Sequence, residues 1–301
     1  MDNGSSDGSA EMVLEKHPAV RLIRNGQNLG FAAACNIGIK ASEAPLLATL
    51  NNDTLPEPQW LAELVSRMES DHTVGMCASK MLFYHLPRMI NSTGISLDRA
   101  GIAWDRGGGE QDDPGEASPL EIFGPCAGAA LYRRAMLDQI GLFDEDFFAY
   151  LEDVDLAWRA RLAGWRCLYV PRARVYHVHS ATAVEGSPFK SFLLGRNKIA
   201  SIVKNYPMPA LLRYLPAILF YDLASLPYAL MVRGDASPLK GRLAALRQMS
   251  RLLRKRRETQ RLRKVSSSQV FPLMSPLENP LKIPGRYKHL RQVASARAAA
   301  R

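Results

Sequence analysis

Apolar and polar positions alternate along the first 70 residues in a helix–strand rhythm. Ala10 to Lys16 has the spacing of a short helix that stops near Pro18. Ala19 to Ile23 predicts a strand, Phe31 to Ala41 a helix, and Leu46 to Leu50 a continuous apolar strand of the kind buried on both faces. Gln59 to Ser70 predicts the next helix. This order predicts a parallel α/β sheet, with Asp53 just beyond the carboxyl end of a buried strand, where ligands of open sheets bind. Residues 74–125 are broken by Gly and Pro, and 107–119 (GGGEQDDPGEASP) has the composition of a surface loop.

Helical signals return from Cys126 to Gly164. Val154, Trp158 and Leu162 recur at i, i+4, i+8, and Gly164 fits a C-cap. Cys167 to Ser180 is strand-like, and Ser191 to Lys204 helical. Leu211 to Val232 is strongly apolar but carries Arg213, Asp222 and prolines, which suits a re-entrant or interfacial segment better than a clean span. Residues 242–264 predict one basic helix with Leu243, Leu246, Met249 and Leu253 at helical spacing, the pattern of a helix on an anionic membrane surface. Residues 266–301 are expected to be loose.

Charge sharpens this division. Residues 1–200 carry 19 Lys and Arg against 25 Asp and Glu, whereas 201–301 carry 20 against 4. An acidic catalytic part with a basic appendage that meets a polyanion follows. The four cysteines show no CxxC spacing, so the expectation is reduced thiols in a cytoplasmic protein, with no zinc site. The first twelve residues, MDNGSSDGSAEM, have neither the basic start nor the apolar stretch of a signal peptide.

Four places could carry chemistry. Asp53 could anchor a divalent cation and a diphosphate, or cap the helix after Pro56. Glu152 and Asp153 follow an aromatic run and open a helix, so one could serve as a general base. Burial would raise their proton affinity and the helix start would lower it. Asp155 is better explained by an i, i+4 pair with Arg159. His177 and His179 share one face of a strand, and one could ligate a metal. The opening DNGSSDG favours tight turns and could touch a base or ribose.

These pieces, in this order, resemble the inverting family 2 glycosyltransferases of GT-A fold. The resemblance is closest to the rhamnosyltransferase and cell-wall or O-antigen branch, and covers residues 1–205. Its implied fold class is α/β: a Rossmann-like mixed sheet with flanking helices, plus a C-terminal helical, basic, membrane-associating extension (206–265) and a basic tail (266–301). The chain opens inside the family's first motif, so the expected domain lacks that family's first strand and helix. By resemblance, Asp2 and Asn3 contact the nucleotide base. Asn28, Gly30, Phe31 and Asn36 line the nucleotide pocket. Asn52 and Asp53 form the metal motif with Asp53 as ligand, and Asn52 stands where many relatives carry an acid. His177 lies near metal and diphosphate. Asp153 is the catalytic base, with Glu152 behind it or on the acceptor, and Gly128 and Ala129 lie beside the sugar.

The implied activity moves a sugar, rhamnose first, from a dTDP- or UDP-sugar to a lipid-linked or polysaccharide acceptor, with Mg2+ or Mn2+. The implied location is cytoplasmic, peripheral on the anionic inner face of the plasma membrane. Two alternatives stand beside it: an inactive GT-A scaffold, and a basic nucleic-acid binder. No nucleic-acid motif accompanies the basic tail, so no nucleic-acid partner is expected.

Overall fold

In the computed structural model, the residues described are 1–116, 118–178, 187–278, 292–293 and 295. The chain opens with α1 (Ser9–Lys16), α2 (Phe31–Lys40), β1 (Leu46–Leu50), β2 (Thr54–Pro56) and α3 (Trp60–Ser70). Next come β3 (Val74–Phe83), β4 (Leu86–Ser92), β5 (Ile95–Leu97), β6 (Ala103–Asp105), β7 (Leu120–Glu121) and β8 (Ala129–Arg133). Then follow α4 (Arg134–Ile140), α5 (Glu152–Leu162), β9 (Arg166–His177) and α6 (Pro188–Asn205). The last helices are α7 (Met208–Pro227), continued by a π-helical turn to Val232, then α8 (Ser237–Arg247), α9 (Met249–Arg261) and α10 (Ser267–Val270).

The sheet runs β1-β8-β3-β9-β2, with β4 added to β3 and β7 to β9. It is mixed: β3 and β9 are parallel, and the other pairs are antiparallel. This corrects the expected all-parallel order. β1 is an edge strand paired only with β8, and burial alternates along it, with Leu47 and Thr49 inward and Leu50 outward. Its apolar run reflects residue type, not burial on two faces. Ala19–Ile23 forms no strand; the segment gains only an isolated parallel bridge, Asp2 to Arg24.

β3 was hidden by its composition. All ten of its residues are buried at the centre of the sheet, although Gly75, Ser79 and Lys80 read as interruptions. Gly75 is needed there because a Cβ would lie 2.6 Å from Met136 Sδ. Lys80 Nζ is neutralised by Asp112 at 2.8 Å and Glu116 at 3.2 Å, so the 107–119 loop is pinned to the sheet rather than merely solvated. β8 likewise lies where helix was expected.

Apolar side chains fill both faces. Trp60, Leu64 and Met68 of α3 cover one with Met81 and Val170. α5 lies in the other cluster, with Val154, Trp158 and Leu162 all buried as their spacing predicted. Trp158 meets Phe123 edge-to-face at 5.2 Å. So complete is this burial that α5's charged residues need internal partners: Arg159 binds Asp155 at 3.0 Å and the carbonyls of Ile140, Gly141 and Leu142. Gly164 has φ +92°, as expected for its cap position.

Two C-terminal expectations change. The single basic helix is two, broken at Gln248, and α8 packs on α6 through Gly241 and Ala245 while Leu243 and Leu246 stay exposed. Residues 266–275 are not loose: a Ser266–Gln269 capping box starts α10, and Phe271 stacks on Tyr214 with centroids 5.5 Å apart.

Candidate active site

β2 brings the Asp53 tip to the end of β9. Thr54 pairs opposite His177, and Val178 donates its N–H to the Asp53 carbonyl at 2.9 Å. Asp53 Oδ1 then lies 3.2 Å from His177 Nε2. The other ring nitrogen, Nδ1, lies 2.7 Å from Asn91 Oδ1. Asn91 thus orients the ring so that Nε2 is the nitrogen turned to the carboxylate. A carboxylate oxygen and an imidazole nitrogen at this spacing are a donor set that fits a divalent metal. Among the described residues no cluster of three or more His, Cys, Asp or Glu occurs. Oxygen atoms of substrate and water would therefore complete the shell, as is usual for Mg2+ or Mn2+ sites. The capping alternative for Asp53 fails: Gln59 is the N-cap of α3. Asn52 is exposed, and His179 lies outside the described residues.

Asp153 sits half-buried at the start of α5. Its Oδ1 accepts from Val154 N at 2.8 Å and its Oδ2 from Ala127 N at 3.3 Å. Burial outweighs these donors and, with Asp105 adding repulsion, lifts its pKa to about 6. Glu152 is buried deeper. Desolvation and the Asp153 charge push its pKa well above the usual value, and its Oε2 has no hydrogen-bond partner. Of the two, Glu152 holds its proton more tightly and Asp153 is the one that ionises more readily. Asp155 is fully buried and bound to Arg159 and Lys204, so it is structural.

The segment Cys126 to Gly128 joins these two centres. Ala127 touches Asp153, and the Gly128 carbonyl accepts from Asn51 N at 2.9 Å, two residues before Asp53. A Cβ at Gly128 would lie 3.3 Å from the Asn51 side chain. The metal candidate and the base candidate therefore flank one short stretch of backbone. Ala129 begins β8 and is buried.

The loops expected to hold the nucleotide are built mostly from their own side chains. Asn3 accepts from Asn25 Nδ2 and Leu29 N at 3.0 and 3.1 Å, and donates to Asn28 Oδ1 at 2.9 Å. Asn28 Oδ1 also accepts from Gly30 N at 2.9 Å. Asp2 is buried and turns its carboxylate to Ser5 N, which lowers its pKa. Gly30, at φ +86°, allows Phe148 against it; a Cβ would sit 2.6 Å from that ring. Two pocket expectations are corrected. Asn36 is buried and clamps Phe143 N and O and the Glu145 carboxylate. Phe31 packs edge-to-face on Phe143, 6.2 Å away, as part of the core. Both shape the 143–148 turn instead of facing a ligand.

That turn holds what the residue pattern concealed. Phe148, Tyr150 and Leu151 all have left-handed φ, between +63° and +66°, immediately before Glu152. Such conformations cost free energy and persist only when neighbours enforce them. α6 supplies the enforcement. Asn197, almost fully buried, donates to the carbonyls of Phe147, Ala149 and Tyr150 at 3.0, 2.9 and 2.7 Å. Arg196 holds those of Asp146 and Phe147. Nothing in a lone polar pair within a helical pattern signals this clamp.

Comparison with known proteins agrees with the geometry. Residues 1–141 match the family described as glycosyl transferase family 2. The chain is 31% identical over 218 residues to an N-acetylglucosaminyl-diphospho-decaprenol L-rhamnosyltransferase of Mycobacterium tuberculosis, covering 62% of this chain and 67% of the relative. A pre-mycofactocin glycosyltransferase of the same species is 27% identical over 194 residues, covering 63% of this chain and 40% of that protein. This chain belongs to glycosyltransferase family 2. Its fold is GT-A: the structure of GalNAc-T7 with UDP, GalNAc and Mn2+ superposes at a TM-score of 0.58 and 18% identity, over 81% of this chain and 47% of that one.

Proposed function

We propose that this glycosyltransferase is metal-dependent and inverting, and passes L-rhamnose from a dTDP-sugar to a lipid-linked glycan in cell-envelope polysaccharide synthesis. The observation that carries the mechanism is the pair of centres on either side of Cys126–Gly128: the Asp53–His177 couple and the ionised Asp153. The rhamnosyltransferase similarity favours the sugar and the lipid carrier; a UDP-sugar is the next donor.

Asp53 and His177 would hold a divalent cation, Mg2+ or Mn2+, which would supply positive charge to offset that developing on the leaving diphosphate. Asn91 fixes the His177 ring so that Nε2 serves this site. Asp153 accepts the acceptor hydroxyl's proton as that oxygen attacks the anomeric carbon from the face opposite the diphosphate, so configuration inverts. Glu152, buried deeper and without a donor to its Oε2, is the poorer candidate for a base.

Calorimetric titration of dTDP, UDP and GDP, with and without Mn2+, tests the reading on wild type and Asp53→Ala. Metal-dependent binding of dTDP that the variant loses is expected. Binding of dTDP that is equally tight without metal, or unchanged in the variant, overturns the role given to Asp53.

A further inference from the structure

α7 and its π-helical continuation form a helix of 25 residues, long and apolar enough by composition to cross a membrane. Its packing argues for a different placement. One stripe is committed to protein: Ala210 and Ile218 are buried, and Tyr214 stacks on Phe271. Farther along the same stripe, Asp222 is ion-paired with Lys198 of α6 at 3.0 Å and Arg242 of α8 at 3.2 Å. Contacts along this stripe hold one side of the helix on the protein and leave the other side to its surroundings.

The opposite stripe is apolar and bare. Leu212 is 63% exposed, Leu219 51%, Phe220 60% and Leu223 64%, and the run ends in Met231 at 85% and Val232 at 69%. Burial of such side chains is favourable, so leaving this row in water is costly. Charge identifies what covers it. Residues 206–264 carry 13 Lys and Arg against 3 Asp and Glu, and one of those acids, Asp222, is already neutralised. Leu243, Leu246 and Leu253 of α8 and α9 add exposed apolar side chains among the arginines. An apolar row within a cationic field matches the boundary of an anionic bilayer.

We infer that α7 lies in the plane of an anionic membrane, its Leu212–Leu219–Leu223 stripe sunk below the headgroups and its Tyr214–Asp222 stripe held on the protein. The placement has a consequence for the active site. Arg196 and Asn197 clamp the turn before Glu152, and the next residue, Lys198, holds Asp222 of α7. The membrane helix and the base's turn are thus fixed by consecutive residues of one helix, which suits an acceptor whose carrier stays in lipid.

The test is co-sedimentation of the full chain with phosphatidylcholine vesicles, with and without phosphatidylglycerol. Wild type should partition onto the anionic vesicles, less so at high salt, and be released by alkaline carbonate. Leu219→Glu/Leu223→Glu should lower the partition coefficient by about tenfold or more. Leu14→Glu, equally exposed but on α1, should leave it unchanged. Unaltered melting temperatures keep misfolding out of the comparison. The inference is overturned if wild type ignores anionic vesicles, if the double variant binds like wild type, if Leu14→Glu weakens binding as much, or if carbonate leaves the protein in the pellet. None of these readouts needs transferase activity, so failure here leaves the proposed reaction untouched.

Discussion

Replacing the base should make the enzyme inert and more stable. Asp153 is raised from 3.8 to about 6, chiefly by burial. A carboxyl whose proton affinity is higher folded than unfolded favours the fold at low pH and loses that contribution as pH rises through the folded value. At pH 8 the full difference operates, about 3 kcal/mol at about 1.36 kcal/mol per tenfold change in proton affinity. At pH 5 the same linkage gives about half of that. Asp153→Asn removes the ionisation but keeps the shape. Its amide nitrogen faces one of the two N–H groups now bound, Val154 or Ala127, at a cost of about 1 kcal/mol. The net gain is about 1–2 kcal/mol at pH 8 and near zero at pH 5, or a rise in Tm of about 2–4 °C at the higher pH only. Differential scanning fluorimetry across pH reads this directly. Radiolabelled sugar transfer should vanish while donor binding persists, and the wild-type rate should climb with pH up to about 6 and then level. Retained turnover, or an equal Tm offset at both pH values, would refute the assignment of Asp153 as a buried, ionising base.

Two further substitutions probe what surrounds the centres. Asn91→Ala frees the His177 ring and should weaken Mn2+-dependent nucleotide binding by about 10–100-fold, measured by calorimetry, with little change in metal-independent binding. Asn197→Ala takes its amide donor from the carbonyls of Ala149 and Tyr150 and leaves that of Phe147 to Arg196. It should cost about 2–3 kcal/mol in denaturant unfolding and lower kcat far more than it raises KM, because the turn that aims Asp153 relaxes.

Legibility in the residue pattern followed the physics of each element. α2, α3 and α5 announced themselves because one face is apolar at helical spacing and their ends carry the right breakers. Asp53 and Asp153 could be singled out as candidates because acids beside apolar runs are costly unless used, whereas His177 drew its role from the family resemblance. The centre of the sheet was illegible. β3 mixes Gly75, Ser79 and Lys80 into a strand buried throughout, and only tertiary partners such as Asp112 make that burial tolerable. The direction of pairing was equally hidden: β1 carries the same Leu-rich run whether its neighbour is parallel or antiparallel. Asn36 shows the converse error. The resemblance placed it in the nucleotide pocket, yet its amide is spent on Phe143 and Glu145, more than 100 residues away in the chain.

The division of labour between Glu152 and Asp153 follows from one helix start. Both follow a turn that α6 forces into left-handed conformations, which sets the direction in which α5 begins. Glu152 then points into the protein, where no donor meets its Oε2 and burial raises its proton affinity. Asp153 faces Ala127 and its own helix N–H groups, which hold its pKa near 6 despite the burial. Two adjacent carboxyls in one buried place repel, and only one ionises readily. Had α5 begun a residue later, Asp153 would have taken the buried place that Glu152 now occupies. The strained turn, rather than either acid alone, therefore decides which carboxylate is available to take the acceptor's proton.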